Sequence, residues 1–276
     1  YADDVKLYSN ISSNSEIRCR DLQEQLNKLS AWASLWQLPI SYKKCCIFSV
    51  GNVSTEKISF SIDSKAVDVV TSVTDLGVTI DTKLKFSAHV QKITRKAHSR
   101  ACLIIRCFES RNVSALISAY SVYVRPIVEY CSEVWNPCLI KDINMLESVQ
   151  RRFTKRLPGM RDLTYHQRLV ALGLESLEMR RLRADLVFLY KIVFGHVKIN
   201  LCDLFILNFS SNLRGHKFKL NLPPCHSAAR FNYFSYRIIN VWNALPSGET
   251  DFTSIRTFKN SLMSKFLVRY CKVNFM

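Results

Sequence analysis

The chain opens with Tyr1-Ala2-Asp3-Asp4, and Val5-Lys6-Leu7-Tyr8 follows at once. The alternation of apolar residues after the acidic pair predicts a strand, so Asp3 and Asp4 would lie at the tight turn that leads into it. A turn of this kind points two carboxylates at one place. Carboxylate oxygens suit Mg²⁺ better than cysteine or histidine does. This stretch therefore predicts a metal-binding turn within a fold that contains β-strands.

An adjacent pair of aspartates also has an ordinary explanation. Such a pair commonly lies in a solvated turn or at the start of a helix, because Asp is a frequent turn former. Taken alone, Asp3 and Asp4 favour that explanation. The balance changes only with the motifs that follow them.

Further motifs follow the acidic pair in a fixed order. They are Ser30-Ala31-Trp32, Trp36-Gln37-Leu38, Ser41-Tyr42-Lys43-Lys44-Cys45, Asp75-Leu76-Gly77-Val78, Tyr123-Val124-Arg125-Pro126, Val134-Trp135-Asn136-Pro137, Gln150-Arg151-Arg152-Phe153, Arg214-Gly215-His216, Phe234-Ser235-Tyr236-Arg237 and Trp242-Asn243-Ala244-Leu245-Pro246. With the acidic box, this series resembles the C-terminal part of jockey-like non-LTR retrotransposon reverse transcriptases. The resemblance covers nearly the whole chain, and the ordered series is far more specific than the box alone.

The resemblance and the periodicity together predict an α+β chain of two parts. Residues 1–83 resemble the distal half of a polymerase palm. Their pattern predicts a helix over 13–36, capped by Ser13 and ended by Pro39, a strand over 40–50, and several short antiparallel strands up to 80. Residues 84–276 resemble a helical thumb and a C-terminal nucleic-acid-binding region. Their predicted helices cover residues 86–108, 113–133, 143–157, 165–171, 178–194 and 231–245.

The resemblance implies a chemistry for the acidic box. In the family, the residue matching Asp3 is a Mg²⁺ ligand, and the one matching Asp4 supports the site. A third aspartate comes from an earlier palm strand that this sequence does not include. The intact enzymes join deoxynucleoside triphosphates to a DNA primer on an RNA template by two-metal catalysis. We expect this chain alone to be inactive.

Two further positions are implied by the resemblance, each with an open alternative. Lys44 matches a lysine near the nucleotide phosphates, although Ser41 stands where the family often has Asn. The alternative for Lys44 is a solvated residue of an edge strand. Leu76 and Gly77 match a hairpin that contacts the primer, and the alternative is an ordinary turn between strands.

Positive charge is concentrated in the second part of the chain. The net charge is +17, and residues 81–276 hold 31 Lys and Arg against 13 Asp and Glu. Such an excess favours phosphate polyanions as partners. Two predicted helices each carry a cluster of basic residues beside an apolar stripe. The nucleic-acid-binding candidates are Arg151, Arg152 and Lys155 on the first and Arg180, Arg181 and Arg183 on the second. Each set is, by itself, more often a solvated helix face.

Cysteine usage and hydropathy indicate where the protein works. Ten cysteines occur without a CxxC spacing, which favours reduced thiols over a zinc site or a disulfide framework. No apolar run approaches the roughly 20 residues that cross a bilayer. We therefore expect an intracellular protein of the cytoplasm or nucleus, without a membrane partner.

Three hypotheses remain open from the sequence. The first is a truncated RNA-directed DNA polymerase, and the second is a non-catalytic nucleic-acid-binding remnant of a degenerate mobile element. The third is a decaying genomic copy without a selected function.

Overall fold

Helices and short strands are divided unequally between two units, Tyr1–Lys85 and Phe86–Met276. The computed structural model describes residues 4–10, 15–51, 59–208, 215–262 and 264–273. Within these ranges all of the named strands lie in the first unit. The mixture of helices and short strands confirms the predicted α+β content. In the described residues, no helix is both long enough and apolar enough to cross a membrane.

The first unit begins with α1, Ser15–Leu35. The predicted cap Ser13 lies outside the described residues. The helix ends before Pro39, because Gln37 takes a left-handed conformation (φ 56°) and its N–H bonds to the Ser34 carbonyl, while Leu38 N–H bonds to Ala33. This is the Schellman arrangement, with Gln in the place that usually holds Gly.

The strands of the first unit are shorter than the sequence predicts. They are β1 Cys46–Phe48, β2 Ser61–Ile62, β3 Lys65–Ala66, β4 Asp68–Val70, β5 Ser72–Asp75 and β6 Val78–Asp81. The prediction of one strand over 40–50 is wrong, because a 3₁₀ turn, Tyr42–Lys44, precedes β1. The β2–β3 and β5–β6 pairs are antiparallel, but β1 and β4 pair in parallel, with Ile47 opposite Val69.

Asp63 explains why the 3₁₀ turn interrupts the predicted strand. Asp63 and Ser64 form the two-residue turn between β2 and β3, and both have positive φ values, 46° and 63°. The Asp63 carboxylate accepts from Ser30 Oγ of α1 at 2.6 Å and from the Tyr42 hydroxyl. These hydrogen bonds lower the pKa of Asp63. One carboxylate thus joins α1, the 3₁₀ turn and the β2–β3 hairpin.

The second unit is helical in its named elements. The helices are α2 Ser87–Cys107, α3 Val113–Tyr123, α4 Arg125–Glu129, α5 Ser132–Trp135, α6 Ile140–Lys155, α7 Tyr165–Leu172, α8 Leu177–Val193, α9 Leu201–Leu204, α10 Ala228–Asn232, α11 Phe234–Arg237, α12 Ile239–Asn243, α13 Ile255–Ser261 and α14 Ser264–Leu267. The predicted helix over 113–133 is three helices. Pro126 cannot donate a helical hydrogen bond and starts α4, and Cys131 at φ 56° separates α4 from α5. The predicted helix over 231–245 is likewise divided among α10, α11 and α12.

The core of the second unit is built around α8. Leu186 and Leu189 have no exposed surface, and the Tyr190 ring stacks on Phe258 at 4.6 Å between centroids. Trp135, Trp242 and Phe234 are all buried as well. A full turn of the helix therefore contributes side chains to the interior, and its charged residues must find partners there.

Asp185 of α8 is the charged residue that most depends on such partners. Its side chain is 1% exposed, and Arg237 of α11 donates to both of its oxygens, at 3.0 and 3.1 Å. Asn136 donates to the same carboxylate at 3.1 Å, and Arg237 also donates to the Glu133 and Asn232 carbonyls. Burial raises the pKa of Asp185, and Arg237 opposes that rise. This pair joins α5, α8 and α11 at one buried point.

We predict that Asp185→Ala destabilises the protein by about 3–5 kcal/mol, because it leaves the Arg237 guanidinium without its carboxylate. Urea unfolding gives the free energy. The matched control is Asp162→Ala, the same change at an exposed position, which should alter stability by no more than about 0.5 kcal/mol. Equal effects of the two substitutions would contradict a structural role for the pair.

Candidate functional site

The acidic box is only partly visible in the structure. Asp3 lies outside the described residues. Asp4 is exposed, and residues 4–10 form no strand, so the strand predicted over Val5–Tyr8 is wrong. No described segment forms a ladder with residues 5–8. Instead, Lys6 Nζ meets Asp75 Oδ1 at 2.6 Å and holds this segment to the end of β5.

The described residues do not by themselves build a metal centre. Among them, no three His, Cys, Asp or Glu side chains come together in a way that would hold an ion. Asp4 alone does not fit the several oxygen ligands that Mg²⁺ takes. We therefore derive no catalytic step through a metal from this geometry.

Lys44 lies in the 3₁₀ turn and not at the start of a strand as predicted. Its side chain is exposed, and only Cys45 separates it from β1. The turn is held from the other side by Tyr42, whose ring lies 4.4 Å from Lys65 Nζ. The local structure therefore presents Lys44 to solvent on an anchored turn.

Leu76 and Gly77 form the two-residue connection of the β5–β6 hairpin. Asp75 pairs with Val78, and the two residues between them have φ values of 44° and 85°. Such positive values are those of a type I′ turn, for which Asn-Gly is the preferred sequence. Leu76 is 50% exposed in a conformation that a side chain with a Cβ rarely adopts. Strain of this kind clusters at functional positions, so the hairpin tip is a candidate contact site.

We predict that Leu76→Asn stabilises the protein by roughly 1 kcal/mol, because Asn tolerates the left-handed conformation that penalises Leu. Leu76→Val should act in the opposite direction, since a β-branched residue is the least tolerant of positive φ. Thermal unfolding of both variants measures the effect. A less stable Leu76→Asn would show that contacts of the leucine side chain outweigh the strain.

The cluster Arg180, Arg181 and Arg183 does not form a solvated face, which was the alternative to the predicted nucleic-acid contact. Arg180 donates to both carboxylate oxygens of Glu129, which raises its pKa. Arg183 donates to Glu175 at 3.1 Å, and Arg181 is 1% exposed. Burial lowers the pKa of Arg181. Arg181 thus has no surface with which to meet a phosphate, which weakens the nucleic-acid contact predicted for this cluster.

Arg181 of α8 lies among carboxylates that come from α6 and from α8 itself. Its Nε donates to Asn136 Oδ1 at 3.1 Å, and the buried Glu147 carboxylate is among the charges that act on it. Glu147 accepts from Leu177 N–H at 3.0 Å and from the Tyr165 hydroxyl, while burial raises its pKa. These arginines therefore neutralise the interior of the second unit.

The cluster on α6 is divided between interior and solvent. Its apolar face is buried as predicted, through Ile143, Leu146, Val149 and Phe153. Arg152 and Lys155 are exposed. Arg151 is half-buried, with its guanidinium carbon 5.2 Å from the centre of the Tyr165 ring. Two of the three predicted contacts on this helix are therefore presented to solvent.

A groove between α2 and α6 extends this basic surface. It encloses about 110 Å³ and is lined by His98, Ala101, Cys102, Ile105, Val149, Arg152, Phe153 and Arg156. Neither His98 nor Arg156 was predicted from the sequence as a site residue. The sequence does place His98 with Cys102, and Arg152 with Arg156, on one helix face each, because each pair is four residues apart. That these two faces meet is set by the packing of α2 against α6, which the sequence pattern does not indicate.

His98 lies at the edge of this groove and is hydrogen-bonded to Ser148. The Ser148 hydroxyl donates to the Met145 carbonyl at 2.7 Å, so its oxygen accepts from His98 Nε2 at 3.1 Å. Burial lowers the pKa of His98, and the positive charges of Arg152 and Arg156 lower it further. The folded protein therefore favours the neutral imidazole.

We predict that His98→Gln reduces the loss of stability on acidification. A histidine whose pKa is lowered by folding binds its proton more readily in the unfolded chain, so its contribution is present above its ordinary pKa of about 6.5 and is lost as pH falls below that value. Melting temperatures at about pH 7.5 and pH 5.5 give the loss for each protein. Equal losses in parent and variant would contradict the assigned cause.

Three relatives of the chain are named as RNA-directed DNA polymerases of mobile elements. The chain is 27% identical over 158 residues to the probable RNA-directed DNA polymerase from transposon BS of Drosophila melanogaster. It is 24% and 23% identical, over 162 and 163 residues, to the enzymes from mobile element jockey of D. melanogaster and D. funebris. These matches cover 55–58% of this chain but only 17–18% of the relatives.

A fourth relative is shorter. The chain is 29% identical over 126 residues to an uncharacterised Caenorhabditis elegans protein, B0403.1, and the match covers 45% of this chain and 64% of the relative. No protein-family profile matches the chain, and no solved structure matches it. More than half of the chain is therefore similar to RNA-directed DNA polymerases of mobile elements.

Proposed function

We propose that the chain is a segment of the reverse transcriptase of a non-LTR retrotransposon. The similarity to three transposon polymerases over more than half of the chain carries this proposal. The matched part is less than a fifth of each of those polymerases, so the activity proposed here belongs to a longer protein. In this proposal, residues 1–83 belong to the palm and residues 84–276 to the thumb and C-terminal region.

The proposed reaction is nucleotidyl transfer on an RNA template. The primer 3′-hydroxyl oxygen attacks the α-phosphorus of a deoxynucleoside triphosphate, a new phosphodiester bond forms, and pyrophosphate leaves. In the longer protein, Asp3 and Asp4 would share Mg²⁺ with a carboxylate from another segment, and the metal would stabilise charge on the reacting phosphate.

The residues of this chain have separate parts in that proposal. The exposed Lys44 would supply positive charge near the triphosphate. The Leu76-Gly77 turn would contact the primer, and the ion pair of Lys6 with Asp75 supports this, because it holds the segment after Asp4 beside that hairpin. Arg152 and Lys155 would hold the phosphates of the template and primer without regard to sequence.

A second candidate is a protein that binds nucleic acid without catalysis. The exposed Arg152 and Lys155 favour it, because such side chains can contact phosphates without a metal site. It uses the same basic surface of the second unit, so binding alone does not separate the two candidates.

Primer extension tests the proposal. We predict no incorporation by the isolated chain on an RNA template with Mg²⁺ or Mn²⁺, since two-metal catalysis needs ligands in fixed positions. A longer protein that restores the upstream palm should extend the primer, and Asp3→Asn should reduce its rate by at least about a hundredfold. The matched control is Asp21→Asn on the exposed side of α1, which should leave the rate unchanged.

The outcomes separate the candidates. If the isolated chain extends the primer and Asp3→Asn abolishes that extension, this segment carries a complete site. An unaltered rate for Asp3→Asn in the longer protein would remove the acidic box from the mechanism. A longer protein that binds template and primer but never extends would support the non-catalytic candidate.

A further inference from the structure

We propose that the groove between α2 and α6 binds an unpaired nucleotide of a single-stranded nucleic acid, with its phosphate between Arg152 and Arg156. The inference rests on the proposed function and makes it more specific. In this proposal the basic surface recognises an unpaired strand, and the residues of the groove distinguish that strand from a duplex.

The charge of the groove favours a phosphate. None of the residues that line it is acidic. In the described part of the chain, Arg152 and Arg156 form no ion pair with a carboxylate, whereas Arg180 and Arg183 each do. Among the described residues, Arg156 Nη1 donates a hydrogen bond to Cys102 Sγ at 3.5 Å, and a thiol sulfur is a weak acceptor. These two guanidiniums are therefore available for a bidentate interaction with phosphate oxygens.

Neighbouring cations continue the positive surface along α2. Arg95 and Arg106 are exposed, and helical periodicity places both on the flank of α2 that borders the groove, seven residues before and four residues after Cys102. Lys96 and Arg100 are also exposed but lie on the opposite flank. A strand passing over the groove would therefore meet positive charge on both sides of it.

The floor of the groove favours an unpaired base over a duplex. Ala101, Ile105, Val149 and Phe153 make it apolar. In a duplex, the flat faces of the bases are stacked on one another, and only polar edges and the backbone are presented. An unpaired base exposes its flat face, and single-strand sites characteristically pair a positive groove with an apolar or aromatic surface for that face.

The size of the groove agrees with one nucleotide. At about 110 Å³ it is well below the roughly 300–1,000 Å³ of a pocket for a drug-sized ligand. A site of this size accommodates part of a base or sugar, while the phosphate remains at the charged edge. Such a site would bind one nucleotide of a strand, and the surrounding cations would hold the phosphates of the other nucleotides.

Fluorescence anisotropy with the full chain tests the charged edge. The probes are a labelled oligouridylate of about 16 nucleotides and an RNA duplex of equal length. We expect Arg152→Gln with Arg156→Gln to weaken binding of the single strand at least tenfold and to reduce the slope of log affinity against log salt by about 0.7 for each phosphate that is no longer neutralised. The matched control, Lys96→Gln with Arg100→Gln, removes the same charge at the same spacing from the other flank of α2 and should have a much smaller effect.

A second substitution tests the floor without altering charge. Cys102→Met narrows the groove and should weaken binding of the single strand several-fold, with the salt slope and the affinity for duplex unchanged. Cys102→Ser keeps the size of the side chain and should bind like the parent. Should Cys102→Met lower the melting temperature, Ile105→Thr replaces it. This substitution makes the half-buried floor more polar without altering charge, and it should reduce the preference for single strands.

Each outcome bears on a different claim. A parent chain that binds neither probe would refute the nucleic-acid contact in the proposed function. If the Arg152 and Arg156 substitutions weaken binding no more than the control does, the groove is not the binding site. The proposed function would still stand. Equal losses on single strand and duplex would show that these cations follow any phosphate backbone, and the inference of an unpaired nucleotide would be wrong.

Discussion

The buried carboxylate of Asp185 on α8 sets the main constraint on the second unit. Asp185 must have its charge balanced where it lies, and only the guanidinium of Arg237 and the amide of Asn136 reach it among the described residues. Arg237 is 52 residues further along the chain, and Asn136 precedes Asp185 by 49. The short helices α10, α11 and α12 must therefore be arranged so that one arginine returns to α8. The aromatic core around Trp242 and Phe258 packs within the arrangement that this pair requires.

The same demand explains how the arginines of the second unit are distributed. Where α8 carries positive charge, the fold supplies Glu129, Glu175 or an internal amide, and those guanidiniums become part of the structure. Where α2 and α6 meet, the groove has no carboxylate in its lining, and the guanidiniums remain available to an external anion. Net charge alone does not separate these two uses of arginine. The distinction depends on whether a carboxylate from another helix arrives at the same place.

The sequence predicted those elements whose cause is local. Apolar spacing located α2, α6, α7 and α8 to within a few residues, and α6 buries an apolar stripe as predicted. The end of α1 was also predicted to within a residue, although Gln37 and not Pro39 forms it. The apolar pattern failed where one residue acts against it, as Pro126 and Cys131 do in dividing a predicted helix. The site was predictable to a similar degree. Arg152 and Lys155 lie on an exposed face as the periodicity implies, but Arg181 is buried. That His98 and Arg156 line the same groove depends on which helices pack together.

The division of arginines between interior and groove has a consequence for handling the protein. Mobile ions screen exposed charges within a Debye length of about 8–10 Å, but they reach buried pairs far less. Concentrated salt would thus release an anion from the groove while the Asp185 and Arg237 pair keeps most of its strength. Folding and binding draw on the same type of side chain, yet they respond differently to ionic strength. Contaminating nucleic acid can be washed from such a surface under conditions in which the helices remain assembled.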